Sequence, residues 1–246
     1  MKFCEREIGG VKFLTIDSFE AAGLKHAFLG RGIDLRDLER GRETVRSLFK
    51  ARELRLLEQV HSATIVHGAG KVGSRPRADA WVVSFRDTKL SGIAYGITTA
   101  DCVPVIIVDL KHGFGAVVHA GWRGIVARII EESIAQLVSL GGIATDLQVA
   151  VGPSAQSCCY CVGEDVRAVF SEMAANERWP DGEVVMKREQ GLFLNLSQVV
   201  RLQSVNMGVS ESQIVVSTHC TICNHDFFSY RREGARAGRQ LTYVAI

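Results

Sequence analysis

Two residues with reactive side chains lie at the ends of neighbouring apolar segments. Cys102 immediately precedes the apolar run 103–109, and His119 lies next to the end of the run 114–120. Because only four residues connect the two runs, we predict a hairpin of paired strands that brings Cys102 and His119 to the same end. A thiolate beside an imidazole serves either as a nucleophile whose pKa the imidazole lowers or as part of a metal site.

A metal site at this hairpin needs at least one further ligand. His61, in the segment QVHS at 59–62, is the candidate, and two histidines with one cysteine suit zinc or copper. The spacing leaves several interpretations open. They are a catalytic metal site, a non-catalytic metal-binding protein, a metal-free Cys–His hydrolase, and a thiol beside a hydrogen-bonded histidine with no chemical role.

The cysteine-rich segments CCYC at 158–161 and CTIC at 220–223 form a second group. A single C-x-x-C is half of a structural zinc site, and the first segment offers further thiols at irregular spacing. A thioredoxin-like redox pair would require a βαβ context near the C-x-x-C, which is missing. The simplest interpretation is free thiols, and the roles of five cysteines stay open: Cys158, Cys159, Cys161, Cys220 and Cys223.

The glycine-rich segment 68–73 matches the dinucleotide pattern G-x-G-x-x-G. That pattern binds a pyrophosphate only when a helix begins at its end. Here residues 74–77, SRPR, follow, with no amphipathic helix and no acidic residue about 20 positions further on. We therefore interpret the segment as a surface loop.

Length and charge restrict the function classes. The chain has 246 residues, a net charge of +2 and 47% hydrophobic residues, so we expect one domain over 1–246 with a substantial core. No basic run predicts nucleic-acid binding, and no apolar stretch is long enough to span a membrane. The N-terminal segment lacks the apolar region of a signal peptide, and seven cysteines suit a reducing compartment. We therefore expect a cytoplasmic protein.

Hydrophobic periodicity predicts the elements that position these residues. Helices are expected at 43–52, 125–140, 164–175 and from 195 to 208. Strands are expected at 80–85, 93–98, 103–109, 114–120, 147–151, 214–217 and 241–246. The strands come in adjacent groups with helices between the groups. This order favours an α+β fold with mixed or antiparallel sheets over a doubly wound parallel sheet.

The sequence resembles the laccase-domain (polyphenol oxidase, YfiH-type) family, whose members are regarded as purine nucleoside phosphorylases and adenosine deaminases. The resemblance covers nearly the whole chain, and the blocks HAGWRG and FFSYRR in this order are very specific. The matching segments are HAFLGRG at 26–32, QVHS at 59–62, ADA at 78–80, ADCVP at 100–104, HAGWRG at 119–124, VGP at 151–153, CCY at 158–160, DFFSYRR at 226–232 and GR at 238–239.

This resemblance implies a metal ion bound by His61, Cys102 and His119, and a four-layer α/β/β/α sandwich with mixed sheets. The implied metal is zinc, with copper as the second option. The implied reactions are phosphorolysis of adenosine, inosine and methylthioadenosine to the free base and (methylthio)ribose 1-phosphate, and deamination of adenosine to inosine. The chain departs from the family pattern at Cys161, where members usually carry an acidic residue, and at Asn195, where they usually carry Asp.

Several residues in the matching segments have side chains suited to this chemistry. Cys102, Asp79 and Asp101 are the catalytic candidates, because carboxylates orient ligand imidazoles or move protons. Guanidinium groups bind phosphate through two hydrogen bonds. The candidates for binding substrate and phosphate are Arg31, Arg123, Arg231, Arg232 and Arg239. Structural capping by the carboxylates and surface ion pairing by the arginines are the competing interpretations.

Other enzyme classes remain as alternatives. The family name suggests copper-dependent oxidation of phenols, but a multicopper laccase needs a trinuclear cluster with many more histidine ligands than seven histidines provide. Bacterial members are also linked to editing of peptidoglycan precursors, which would make the substrate a nucleotide-sugar amino acid. The sequence does not choose between these substrates, and it leaves the oligomeric state open.

Overall fold

The computed structural model describes residues 1–68, 75–180 and 182–245, and this part of the chain contains three β-sheets. Its strands are β1 (Phe3–Ile8), β2 (Val11–Ile16), β3 (Lys25–Leu29), β4 (Glu53–Leu56), β5 (Ile65–His67), β6 (Ala80–Ser84), β7 (Ile93–Thr99), β8 (Val103–Asp109), β9 (Phe114–Ala120), β10 (Gln148–Val151), β11 (Cys161–Val162), β12 (Val185–Arg188), β13 (Gly191–Leu194), β14 (Ile214–Val216) and β15 (Gln240–Ala245). Its α-helices are α1 (Asp17–Ala21), α2 (Leu38–Phe49), α3 (Trp122–Val126), α4 (Ile129–Ser139), α5 (Glu164–Asn176), α6 (Leu196–Asn206) and α7 (Tyr230–Glu233).

Both large sheets mix parallel and antiparallel pairs. The first has the strand order β1-β2-β3-β15-β7-β4, and the second has the order β14-β10-β8-β9-β6-β5. The pairs β4 with β7, β10 with β14 and β5 with β6 are parallel, whereas the other pairs of these two sheets are antiparallel. The small third sheet, β11-β13-β12, is antiparallel. The predicted α+β fold class with mixed sheets is confirmed.

The hairpin of β8 and β9 lies at the centre of the second sheet. Its register pairs Val103 with Ala120 and Pro104 with His119. All seven residues of β8 are buried, which explains the unbroken apolar run, because a strand covered on both faces has no solvent-facing positions. Cys102 lies one residue before β8, at the same end of the hairpin as His119, as the spacing predicts.

Three apolar clusters show what packs against each sheet. The first cluster lies between the two large sheets and includes Tyr95 from one and Ile106 from the other. The second joins the other face of the second sheet to α4 and α6, and the third joins the other face of the first sheet to α2 around Val45. This packing is what the four-layer α/β/β/α order requires, although the layer order itself stays a prediction.

The long helix predicted over 125–140 is wrong at one point. The chain forms α3 and α4 with a break between them, because Arg128 adopts a left-handed backbone conformation with φ 69°. The Arg128 guanidinium binds Glu131 and Glu177 there, at 2.8 and 2.5 Å. The predicted end is correct, since Gly141, with φ 103°, and Gly142 donate to carbonyls of the last turn.

Other boundaries differ from the prediction by smaller amounts. The helix predicted over 43–52 begins earlier, because the Asp37 side chain accepts a hydrogen bond from the Arg40 backbone N–H. It ends at Phe49, before Lys50 turns to φ 55°. Residues 69–73 of the glycine-rich segment lie outside the described residues, as does residue 246, the last of the strand predicted over 241–246. None of the helices in the described ranges has the length and apolar composition that crossing a membrane would require.

Candidate metal centre

His61, Cys102 and His119 meet at the open end of the β8–β9 hairpin. Their metal-binding atoms all lie within 4.8 Å of one another. The Cys102 Sγ is 3.9 Å from the His61 Nε2, and the two imidazole rings meet edge to face with centroids 4.8 Å apart. His119 is buried, Cys102 is half-buried and His61 is exposed. The cluster is therefore anchored on one side and accessible on the other.

Asp79, fully buried just before β6, holds two of these three residues in place. Its carboxylate accepts hydrogen bonds from the His119 Nδ1 at 2.8 Å, the His61 backbone N–H at 3.0 Å, and the backbone N–H and hydroxyl of Ser62 at 2.7 and 2.9 Å. Burial raises the pKa of Asp79, but these donors outweigh burial and hold the pKa at about 2. In the neutral imidazole that a metal ion binds, a proton on Nδ1 is donated to Asp79 and the lone pair lies on the His119 Nε2.

The Cys102 thiol and the His119 imidazole shift each other's protonation. Burial raises the pKa of Cys102, but the imidazoles of His119 and His61 outweigh burial and lower it to about 6. For His119, burial lowers the pKa, whereas the Cys102 thiolate and Asp79 raise it to about 9. Cys102 is therefore a thiolate at neutral pH. The thiolate is the form that binds a metal ion or attacks an electrophile.

Unusual backbone conformations occur at two residues of the centre. His61 has φ 59° and Asp101 has φ 91°, a region that residues other than glycine seldom adopt and that concentrates at functional sites. The Asp101 carboxylate accepts hydrogen bonds from the Thr221 hydroxyl at 2.7 Å and the Arg231 backbone N–H at 2.6 Å. These contacts make Asp101 a link between the Cys102 loop and two later segments.

Gly121, directly before α3, leaves space for the side chains of the three candidate ligands. A Cβ at this position would lie 2.8 Å from the His61 Cδ2 and 3.3 Å from the Cys102 Sγ. In Gly121→Ala, we expect His61 to be displaced and zinc affinity to fall about ten- to hundredfold, since overpacking costs about 1–3 kcal/mol. Competition against a chelating dye measures the affinity, and the melting temperature verifies the fold. Unchanged affinity in the folded variant would contradict this role of Gly121.

A cleft of about 440 Å³ opens beside the three ligands, a volume in the range of small-molecule sites. Two of the predicted arginines, Arg231 and Arg239, line it. Tyr160 and Tyr230 contribute aromatic rings, and Arg75 contributes a third guanidinium. None of these three is among the residues predicted from the sequence. The full lining is Leu57, Glu58, Gln59, His61, Arg75, Thr98, Thr99, Ala100, Asp101, Cys102, His119, Tyr160, Tyr230, Arg231 and Arg239.

The other three predicted arginines do not line this cleft. Arg31 forms an ion pair with Glu233 at 2.9 Å. Arg123 is exposed and stacks on Trp122, with its guanidinium carbon 4.4 Å from the ring centroid. Arg232 donates to four backbone carbonyls, those of Thr221, Ile222, Asn224 and Phe227. The structure therefore gives Arg232 a scaffolding role, and none of the three lines the cleft.

The two departures from the family pattern also lie outside the cleft lining. Asn195 caps α6, and its Oδ1 accepts a hydrogen bond from the Gln198 backbone N–H at 3.1 Å. An Asp would accept the same bond, so this change preserves the cap. The Cys161 carbonyl accepts a hydrogen bond from the Arg231 guanidinium at 3.0 Å. This bond uses the backbone, which any residue supplies.

Four of the remaining cysteines form a second group, which we call the four-cysteine cluster: Cys158, Cys159, Cys220 and Cys223. Their sulfur atoms lie within 4.8 Å of one another, and none is in a disulfide. Burial and the thiols of Cys220 and Cys159 raise the pKa of Cys158. For Cys159, burial and the thiols of Cys220 and Cys223 raise the pKa to about 11, because they outweigh a hydrogen bond with Cys158 that lowers it. Burial also raises the pKa of Cys220, but hydrogen bonds from the backbone N–H groups of residues 156, 223 and 222 outweigh burial and lower it.

Fold and site together define a mixed α/β protein with a His–Cys–His cluster at the mouth of a polar cleft. The chain belongs to the family described as multi-copper polyphenol oxidoreductase laccase, whose model matches residues 31–246. This match confirms the resemblance seen in the sequence motifs.

Named relatives and solved structures agree with this assignment. Adenosine deaminase RL5, from an unknown prokaryotic organism, is 38% identical over 64% of the chain, and the match spans 60% of that relative. The purine nucleoside phosphorylase of Deinococcus radiodurans is 32% identical over 80% of this chain and 72% of its own. Bacillus licheniformis YfiH has a TM-score of 0.83 at 21% identity, covering 95% of this chain and 96% of its own, which confirms the fold. YlmD from Geobacillus stearothermophilus has a TM-score of 0.78 at 25% identity, covering 95% of each chain.

Proposed function

We propose that this protein is a zinc-dependent purine nucleoside enzyme of the cytoplasm. It would deaminate adenosine to inosine, and it would phosphorolyse adenosine, inosine and methylthioadenosine to free base and (methylthio)ribose 1-phosphate. The observation that carries the proposal is the convergence of His61, Cys102 and His119 at the mouth of a cleft lined by tyrosines and arginines. The relatives named adenosine deaminase and purine nucleoside phosphorylase support the same reactions.

The residues of the centre fit a zinc ion. Two imidazoles and a thiolate are ligands that zinc prefers, Asp79 fixes the His119 tautomer, and the missing Cβ at Gly121 keeps the space open. When bound through three protein ligands, zinc supplies a water nucleophile near neutral pH. The two sets of potential metal ligands found in the described residues contain only these two histidines. This donor set favours a single zinc ion over a trinuclear copper centre.

The cleft brings aromatic rings and guanidinium groups together: Arg231 lies over the Tyr160 ring and Arg239 over the Tyr230 ring, 5.1 and 6.0 Å from the ring centroids. Tyr160 and Tyr230 present rings on which a purine can stack. Arg231 and Arg239 bring guanidinium groups to the same cleft, and phosphate is the co-substrate that distinguishes phosphorolysis from deamination. Asp79 acts as a positioning residue, because its carboxylate contacts His119 and the His61 loop.

Product analysis of adenosine incubated with the protein tests this function. We expect inosine without phosphate, and adenine or hypoxanthine together with ribose 1-phosphate only when phosphate is present. A chelator should stop both reactions, and added zinc should restore them. Activity that survives verified metal removal would favour a metal-free Cys–His enzyme. Unchanged adenosine with folded, zinc-loaded protein would refute the nucleoside proposal.

Replacing an arginine of the cleft should impair phosphorolysis more than deamination. In Arg239→Gln and in Arg231→Gln, we expect the KM for phosphate to rise about ten- to hundredfold, since a hydrogen bond to a charged group contributes about 1.5–3 kcal/mol. Deamination should change much less. The control is Arg123→Gln, whose exposed side chain stacks on Trp122 outside the cleft. Equal losses in both reactions, or none, would contradict a phosphate-binding role.

A further inference from the structure

The four-cysteine cluster combines two short segments that are far apart in the sequence. Cys158 and Cys159 follow β10, whereas Cys220 and Cys223 form a C-x-x-C turn after β14. The Cys158 and Cys223 sulfurs are 4.0 Å apart, which is near the separation of about 3.8 Å between thiolates that share a tetrahedral zinc ion with Zn–S bonds of about 2.3 Å. Four sulfur atoms within 4.8 Å of one another can close around one ion with small side-chain rotations.

The surrounding backbone holds the two segments together independently of the sulfurs. Ser154 and Cys220 form an isolated parallel bridge, in which the Ser154 N–H donates to the His219 carbonyl and the Thr221 N–H donates to the Ser154 carbonyl. The Arg232 guanidinium donates to the carbonyls of Thr221 and Ile222, inside the C-x-x-C turn. The sulfur arrangement is therefore preorganised, as a high-affinity metal site requires.

We propose that the four-cysteine cluster binds a second zinc ion with a structural role, separate from the ion at His61, Cys102 and His119. Four thiolates form a closed ligand set with no position left for a substrate, which is typical of structural zinc. Tetrahedral sulfur sites select zinc or iron among the common metals. The proposal names zinc, and metal analysis distinguishes the two.

This second site would stiffen one wall of the cleft. Tyr160, a cleft residue, directly follows the cluster member Cys159. On the other segment, the Thr221 hydroxyl donates to Asp101, the neighbour of Cys102. An ion at the cluster thus ties together the two segments that position Tyr160 and the Cys102 loop.

Metal stoichiometry tests the proposal on the full chain, reconstituted with zinc and then desalted. We expect about two zinc ions per chain in the wild type and about one in Cys223→Ser and in Cys158→Ser. Both substituted side chains are exposed, so loss of packing should be small. The matched control is Cys161→Ser, close to the cluster but outside it, which should keep both ions.

A second measurement reports on the ligands themselves. Cobalt substitution should give strong thiolate-to-metal absorption in the wild type and in Cys102→Ala, and Cys223→Ser should lose most of it. In the Cys102→Ala background, added zinc should raise the melting temperature, and the further change Cys223→Ser should remove that rise. Cys102→Ala leaves the four-cysteine cluster intact, so zinc that this variant still binds is assigned to the cluster. This test is independent of whether the proposed nucleoside reactions occur.

Several results would overturn the proposal. The first is a stoichiometry of about one zinc ion per chain in the reconstituted wild type, with the four thiols freely reactive toward a thiol reagent or joined as disulfides. Another is iron in place of zinc after expression with both metals supplied. Full zinc retention in both serine variants would also overturn it.

Discussion

Replacing Cys102 by alanine is expected to abolish zinc binding at the His61 site and to lower kcat/KM for adenosine by about 10³-fold or more. In the proposed site the thiolate is one of three zinc ligands, and loss of the metal would remove several kcal/mol of transition-state stabilisation. The fold should persist, because Cys102 is half-buried and lies in the loop before β8. Metal analysis and product formation measure the result. The matched control, Cys4→Ala, removes a half-buried thiol on β1 and should retain both.

A companion variant separates the metal site from a Cys–His nucleophile pair. In the proposed zinc site His61 is an exposed ligand, whereas a nucleophile pair would use Cys102 and His119, with His61 contributing only to the lowered pKa of Cys102. His61→Ala should therefore lose zinc and activity together, with little loss of stability. If His61→Ala keeps its activity while Cys102→Ala loses it, the metal-dependent mechanism is wrong and the nucleophile pair is favoured.

The best sequence predictions concern the strands of the second sheet. β8 and β9 have the predicted bounds because every residue of β8 is buried and a four-residue connection leaves one antiparallel register. The helix break at Arg128 was not predictable from periodicity. It depends on ion pairs with Glu131 and with Glu177, which is distant in the sequence. The pattern of apolar residues continues through the break and therefore hides it.

The sequence predicted which residues lie close together where a local element determines the geometry. The hairpin alone places Cys102 beside His119. His61 lies in a loop whose position depends on hydrogen bonds to Asp79, 18 residues later, so spacing could make it only a candidate. The arginines show the same limit. The guanidinium of Arg239 donates to two backbone carbonyls and also lines the cleft, whereas that of Arg232 donates to four carbonyls and does not line it. The two side chains are chemically identical, so only the tertiary structure shows which arginine lines the cleft.

The four-cysteine cluster shows why metal sites built from separate segments are hard to predict. The C-x-x-C turn is visible in the sequence, but its partners are two adjacent cysteines more than 60 residues earlier. Adjacent cysteines fit no common zinc spacing. Their sulfurs converge with those of the turn because the bridge between Ser154 and Cys220 sets the register of the two segments.

Asp79→Asn is expected to weaken zinc binding about 10- to 100-fold and to lower the free energy of unfolding by about 2–5 kcal/mol. The carboxylate is fully buried and accepts four hydrogen bonds of 3.0 Å or shorter, one of them from the His119 Nδ1. An asparagine has nearly the same shape, but its NH₂ group would face a donor and leave that donor unpaired. His119 then loses the partner that fixes its tautomer. Zinc competition with a chelator and urea unfolding measure the two effects.

Asp109→Asn is the matched control for this prediction. Asp109 is also fully buried, and it accepts hydrogen bonds from the His112 Nδ1 at 2.8 Å and from two backbone N–H groups. It lies at the opposite end of β8 from Cys102, about 20 Å away along seven strand residues. Both variants should lose stability, but only Asp79→Asn should lose zinc affinity. If Asp79→Asn loses stability and keeps its zinc affinity, Asp79 supports the fold without orienting the metal ligands.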